Sequence, residues 1–317
     1  MMGPGIAQVF ASNGHSVTVH NRTAAKLALV KERVRENLQR MSDFDLIDKQ
    51  STASTLNNIK VTDDLAEACQ DAAFVIETIT EDMALKQGIF YTLDRLCPPE
   101  TTLCSNTSVM SITEIGSRAV HRERIIGTHF YQPPFLVPLV EVIRTEYSSP
   151  KHVTAAFQLL QDAGKVPVRV EKDVPGFIAN RMQHALWREA FALIDEGVCD
   201  AETVDVAVRN SFGLRLPVLG PVANADLVGL DLTFAIHNYV LPHLSASPTP
   251  SSTLRQRVEN GELGFKTKTG FLPWSDASIA RTRDELTTYL LTTLRAKKAN
   301  TSQPSKSDST KPREAQK

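Results

Sequence analysis

Along the first 170 residues, apolar positions follow two alternating rhythms. Short continuous runs, bounded by polar or turn residues, are the length of buried strands. They fall at His15 to His20, Ile59 to Thr62, Ala73 to Thr78, Thr102 to Cys104, Arg124 to Thr128, Pro138 to Ile143 and Val166 to Val170. Between them, apolar residues return every three or four positions, which predicts helices. Ile6, Val9 and Phe10 mark a helix at the very start, stopped at Asn13-Gly14, and Leu27, Val30, Val34, Leu38 and Met41 mark a helix over 24–41. The polar segment 42–58 is expected to complete a helical hairpin, and Asp63-Asp64-Leu65 opens a short helix. Glu81-Asp82 starts a helix that runs to Leu96 and ends at Cys97-Pro98-Pro99; Lys151 to Ala163 is another. Strands alternating with helices predict an α/β domain with a parallel sheet.

The rhythm changes at Asp173-Val174-Pro175-Gly176. From Phe177 onward the chain predicts long helices and no clear strand, beginning with Ile178, Met182, Leu186, Phe191 and Ile194 and a stop at Gly197. The expected organisation is an α/β domain over 1–173 and an all-helical domain over 174–296. Residues 297–317 are polar, basic and without periodicity, and read as a disordered tail.

The stretch 124–144, RIIGTHFYQPPFLVPLVEVIR, carries the strongest chemical signal. A carboxylate inside an apolar run is costly to bury without a partner. Glu141 sits among Leu139, Val140, Val142 and Ile143, and the Pro133-Pro134 turn can bring it back to His129. A carboxylate on one imidazole nitrogen fixes the tautomer and leaves the other nitrogen free as a base. The plainer alternative is an edge glutamate reaching solvent and a structural histidine. Ser105-Asn106-Thr107-Ser108 follows another strand, at the crevice where ligands bind in α/β sheets; the same residues could simply cap the helix after Ser111.

Several motifs occur in one order: SNTSVMSIT, the 124–144 stretch, DVPGFIANR, and Gly220-Pro221 followed by Asp226-Leu227-Val228-Gly229-Leu230-Asp231. Together they resemble the L-3-hydroxyacyl-CoA dehydrogenase family over about residues 1–275. The resemblance implies a Rossmann-like NAD-binding domain followed by a helical domain, and reversible oxidation of an L-3-hydroxyacyl-CoA. It implies His129 as the general base, Glu141 as its orienting partner, and Ser108 and Asn180 as substrate-binding residues. Glu81, Lys86, Asn106 and Gln132 match cofactor-side positions, with Gln132 standing where the family has Asn. Lys266 matches the lysine of a C-terminal K-T-G-x-G-F motif, although Lys268 replaces its first glycine. The family also inserts a CoA-binding helical hairpin where 42–58 falls, and commonly forms a homodimer.

A dinucleotide fold runs strand, G-x-G-x-x-G, helix, strand, acidic residue. Here Gly3 is the last glycine of that fingerprint. By the resemblance, the first strand and two glycines would precede Met1, so the chain reads as an N-terminally truncated copy with weakened dinucleotide binding. Where the family carries an Asp for the adenosine ribose, this chain has Asn21, followed by Arg22, which could receive a 2′-phosphate. NAD is the family's cofactor and NADP is possible from Asn21-Arg22. The alternative is that Asn21-Arg22-Thr23 is only a helix start.

The 317 residues suit one or two domains, and 42% apolar content supports a real core. A net charge of −1 argues against general affinity for nucleic acid or membranes. No apolar run reaches the roughly 18–20 residues needed to span a bilayer. The four cysteines, Cys69, Cys97, Cys104 and Cys199, have no metal-ligand spacing. With no secretory signal visible, a cytoplasmic, metal-free enzyme acting on a small acyl-CoA-type molecule is expected. Two rivals stand beside that reading. One is a dehydrogenase of small free hydroxy acids, resembling gulonate and carnitine dehydrogenases. The other is a non-catalytic, crystallin-like relative, against which the joint presence of His129, Glu141, Ser108 and Asn180 argues.

Overall fold

In the computed structural model, which describes residues 2–301, every apolar run of the first 170 residues is a strand and every three-four repeat a helix. The order is α1 (Met2–Ala11), β1 (Val17–His20), α2 (Ala24–Asp43), α3 (Ser51–Asn57), β2 (Ile59–Thr62), α4 (Leu65–Cys69) and β3 (Phe74–Glu77). Then come α5 (Met83–Leu96), β4 (Thr102–Ser105), α6 (Ile112–Ile115), β5 (Ile125–Phe130), β6 (Leu139–Ile143), α7 (Pro150–Asp162) and β7 (Val166–Val170). Asp64 and Asp82 cap α4 and α5 by accepting from backbone N–H groups of the first turn.

The strands form a five-stranded sheet, β3-β4-β5-β6-β7, and a separate pair, β1-β2. All neighbours are parallel except β5 and β6, which are antiparallel. That reversal follows from the short turn at 131–138, since parallel neighbours need a crossover. Residues two apart on a strand share a face. Ile126, Phe130, Val140 and Val142 pack under α1 and α7 with Ile6, Phe10, Val153 and Leu160. Leu103, Ile125, Ile143 and Val170 face Phe90 and Leu93 of α5 and Ile112 and Ile115 of α6. Each such side chain, fully buried, contributes about 1.5–3 kcal/mol. Gly127 is required on this second face: a Cβ there would lie 2.8 Å from Ile143 Cδ1 and 2.9 Å from Ile112 Cδ1. His129 and Glu141 share this face, two residues on from Gly127 and two before Ile143.

The strand at 73–78 was expected to be buried, yet Phe74, Val75 and Ile76 are half-buried. The reason is position: β3 is an edge strand, paired only with β4. Contacts divide the chain after Phe177, and residues 285–301 belong with the first unit. This differs from the expected boundaries of 173 and 296. The last helix, α14, runs Asp276–Thr301, so residues 297–301, expected to be disordered, are helical. Arg295 pairs with Asp45 at 2.8 Å and Lys298 Nζ donates to the Leu46 carbonyl at 2.9 Å, tying this helix to the α2–α3 hairpin. The remainder of the expected tail lies outside the described residues.

The second unit spans Ile178–Asp284. It contains α8 (Ala179–Asp195), α9 (Ala201–Arg209), α10 (Phe212–Arg215), α11 (Pro221–Val228), α12 (Leu230–Val240) and α13 (Ser252–Glu259), with the start of α14. None of α8 to α13 has a buried residue. Leu214, Val218, Leu227, Phe234 and Tyr239 are between 67% and 86% exposed.

Candidate active site

The β5–β6 hairpin sets His129 directly opposite Glu141. Side chains of such a cross-strand pair meet. His129 Nδ1 lies 2.8 Å from Glu141 Oε2, with the two residues 3% and 0% exposed. A carboxylate this buried makes Nδ1 the protonated nitrogen, which leaves Nε2 with its lone pair. Tyr131, the next residue on the same face, donates its hydroxyl to the same Oε2 at 2.9 Å and sets its ring 4.4 Å from the imidazole. The Phe177 ring lies 5.7 Å from His129 on another side. Phe177 has a φ of 49°, a left-handed backbone that costs an aromatic residue energy; its ring is 1% exposed. Lys165 closes the hairpin from outside, donating to the Val137 carbonyl at 3.0 Å and to the Pro134 carbonyl. Burial pushes the Lys165 ammonium down to about 8.

The ends of β3 and β4 carry a second polar cluster. Lys86, 1% exposed, donates to Glu77 at 2.8 Å and lies 3.5 Å from Glu81. Glu77 also accepts from Ser105 Oγ at 2.8 Å and from the Ile79 N–H at 2.5 Å. Glu81 grips the following loop, accepting from Thr107 Oγ1 at 2.7 Å and from the Ser108 N–H at 2.6 Å. Asn106 Oδ1 accepts from the Phe130 N–H at 2.8 Å, so the loop after β4 is fastened to the strand that carries His129.

At the same end of the sheet, the first turn of α1 lies beside the end of β3, with Gly5 against Pro134 of the hairpin turn. A Cβ on Gly3 would meet only Thr78 Oγ1, at 3.5 Å. First-turn amides have no partner within a helix, which suits an anionic group. These features fit the diphosphate of a dinucleotide. Asn21 Oδ1 accepts from the Thr23 N–H at 2.9 Å, and Arg22 is exposed. Thr23 precedes α2 but makes no side-chain cap, and the Asn21 bond closes the turn just before the helix. Gln132 is exposed on the hairpin turn. In the second unit, Asn180 is half-buried near the start of α8 and Lys266 is exposed.

Two residues at these sites, Tyr131 and Lys165, escaped the sequence reading. Tyr131 could have been found from its place two residues after His129. Glu77, which the sequence places in an E-x-x-x-E…K pattern with Glu81 and Lys86, is the buried partner of Lys86. Nothing in the sequence points to Lys165, whose acceptors are backbone carbonyls. No cluster of three or more metal-ligating side chains occurs among the described residues, and no described helix is long and apolar enough to cross a membrane.

Two family profiles match consecutively. Residues 1–174 match the NAD binding domain of 3-hydroxyacyl-CoA dehydrogenase, and residues 176–274 match its C-terminal domain. The chain is 35% identical to 3-hydroxybutyryl-CoA dehydrogenase of Clostridioides difficile, over 86% of this chain and 96% of that one. It is 32% identical to 5-formyl-3-hydroxy-2-methylpyridine 4-carboxylate 5-dehydrogenase of Mesorhizobium japonicum, over 85% and 86%. A crystal structure of a 5-dehydrogenase of that pyridine acid, described as an NAD-dependent dismutase, superposes with a TM-score of 0.86 at 28% identity, covering 93% of this chain and 94% of that one. The (S)-3-hydroxybutyryl-CoA dehydrogenase of Ralstonia eutropha superposes with a TM-score of 0.72 at 32% identity, covering 86% and 95%.

Proposed function

The chain belongs to the 3-hydroxyacyl-CoA dehydrogenase family of NAD-dependent oxidoreductases, and on that premise we propose that it reversibly oxidises an L-3-hydroxyacyl-CoA to the 3-oxoacyl-CoA. The observation that carries the reading is the buried contact between His129 Nδ1 and Glu141 Oε2 at 2.8 Å. NAD bound to this unit would supply the acceptor for the hydride that leaves the carbinol carbon. His129 Nε2 accepts the hydroxyl proton, and Glu141 stabilises the imidazolium that results. Ser108 holds the substrate oxygen, on a loop that Glu81 fixes through the Ser108 N–H. From the family motifs alone, Asn180 takes a substrate-binding role and Lys266 a cofactor-binding one.

Gly3 and the α1 turn serve the diphosphate, and Asn21 and Arg22 serve the adenosine ribose. Asn106, Gln132, Glu81 and Lys86 serve the nicotinamide side. Lys86 acts there through its bonds to Glu77 and Glu81, since its ammonium is buried. The reading carries with it fatty acid metabolism in the cytoplasm, which the four free cysteines support. It also carries a homodimer: the exposed apolar side chains of α10 to α12 suit burial against a second copy.

A second reading keeps the chemistry and changes the substrate to a small free acid. The 0.86 superposition on the pyridine-acid dehydrogenase favours it. One screen separates the two: reduction of acetoacetyl-CoA and oxidation of free hydroxy acids, each with NAD and NADP cofactors. The acyl-CoA reading expects acetoacetyl-CoA reduction to dominate. Turnover of free acids alone would overturn it.

A further inference from the structure

Glu141 Oε2 receives two donors, Nδ1 of His129 at 2.8 Å and the hydroxyl of Tyr131 at 2.9 Å. The geometry is a consequence of strand periodicity. His129 and Tyr131 are two residues apart, so they leave the sheet on one face, and Tyr131 lies diagonally across from Glu141. Their rings are 4.4 Å apart, so the phenol is held over the imidazole it indirectly serves.

We propose that Tyr131 is a positioning residue for proton transfer: it fixes which oxygen of Glu141 faces His129 and sets how strongly that carboxylate stabilises the imidazolium. The proposal rests on the reading of His129 as the base. A donated hydrogen bond draws charge from a carboxylate and favours its ionised form. The same bond leaves less negative charge to hold a proton on the neighbouring imidazole. Tyr131 therefore makes His129 a weaker proton holder than Glu141 alone would, which favours release of the proton after alcohol oxidation. The other ionisable groups on the elements packed against this face are Lys86, bonded to Glu77 and beside Glu81, Asp94, paired with Arg124, and Asp173, which accepts from Ser111 Oγ and the Thr113 N–H. Replacing the phenol leaves those bonds intact, so a change in pH dependence reports the Tyr131 contact.

The test compares the wild-type protein with Tyr131→Phe in two measurements. The first is the pH dependence of kcat/KM for L-3-hydroxybutyryl-CoA with NAD. The acid limb should move to higher pH by about 0.5–1 unit, with the plateau rate falling less than about tenfold. The second needs no substrate: the Nδ1 proton resonance of His129 should move further downfield, and its nitrogen-15 titration should shift to higher pH. Fluorotyrosine at position 131 is a more acidic donor and should move every readout the other way; it also serves if Tyr131→Phe does not fold. Unmoved profiles and resonances, or movement in the opposite directions, would overturn the proposal. Should the CoA ester not react with the wild-type protein, the functional reading fails while the resonance measurement still decides the role of Tyr131.

Discussion

The β5–β6 hairpin and the α1–β1 corner belong to one unit of the fold but are built on opposite terms. In the hairpin, His129 and Glu141 are buried, and Tyr131, Phe177 and Lys165 hold the pair or its turn from three sides. In the corner, β1 pairs only with β2, all four of its residues are half-buried, and Asn21 and Arg22 meet solvent. Water screens charges in the corner and is excluded from the hairpin. A single atom changed in the hairpin therefore has nowhere to relax, while a whole charge changed in the corner is cushioned. Substitutions should cost orders of magnitude at the first place and small factors at the second.

The largest effect belongs to His129→Gln, which should lower turnover by roughly 10²–10⁴ while NAD affinity, read by fluorescence titration, changes little. Near-normal turnover would dissolve the contrast by removing the chemistry from the hairpin.

A smaller effect comes from the clasp. Lys165 is held near 8 by burial, below its ordinary 10.5. Between those values the unfolded chain keeps a proton that the folded chain has given up, so raising the pH favours folding. Wild-type stability relative to Lys165→Met should rise between pH 8 and 10, by about 1–2 kcal/mol, and stay level below pH 8. Denaturant titrations at pH 7, 8 and 10 measure this. A gap that narrows as the pH rises would show that Lys165 is not desolvated.

The smallest effect belongs to the corner. Asn21→Asp restores a charge that repels a 2′-phosphate, and Arg22→Ala removes one that attracts it. Each should move the ratio of catalytic efficiencies with NAD and NADP towards NAD by less than about tenfold, because the exposed pairing is screened. A ratio unmoved by both would leave Asn21 only the turn before α2, which its bond to the Thr23 N–H closes.

The hairpin was legible because its signals are local and redundant. An apolar run around Glu141, a Pro-Pro turn and a histidine twelve residues earlier leave one economical pairing, and the register matches it. The partners that refine it were less legible. The Tyr131 hydroxyl reaches Glu141 only because its side chain keeps the β5 alternation past the strand's end at Phe130. The Glu81 contacts to Thr107 and Ser108 join segments 26 and 27 residues apart, and no periodicity encodes such a meeting. The helices after Phe177 were readable as helices, but not the exposure of their apolar faces, which the three-four repeat normally assigns to a core. Residues 297–301 look polar and unstructured in isolation. They continue a helix anchored through Arg295 in the turn before them and through Lys298 among them.

The central claim is that Glu141 acts only through His129. A double-mutant cycle tests it most directly, with kcat measured for His129→Gln, Glu141→Gln and the two combined. Because the carboxylate can stabilise only a proton that His129 has accepted, the double variant should be no slower than His129→Gln alone. Losses that instead multiply would mean that the two side chains act independently, and the pair joined at 2.8 Å would not be the proton-transfer unit.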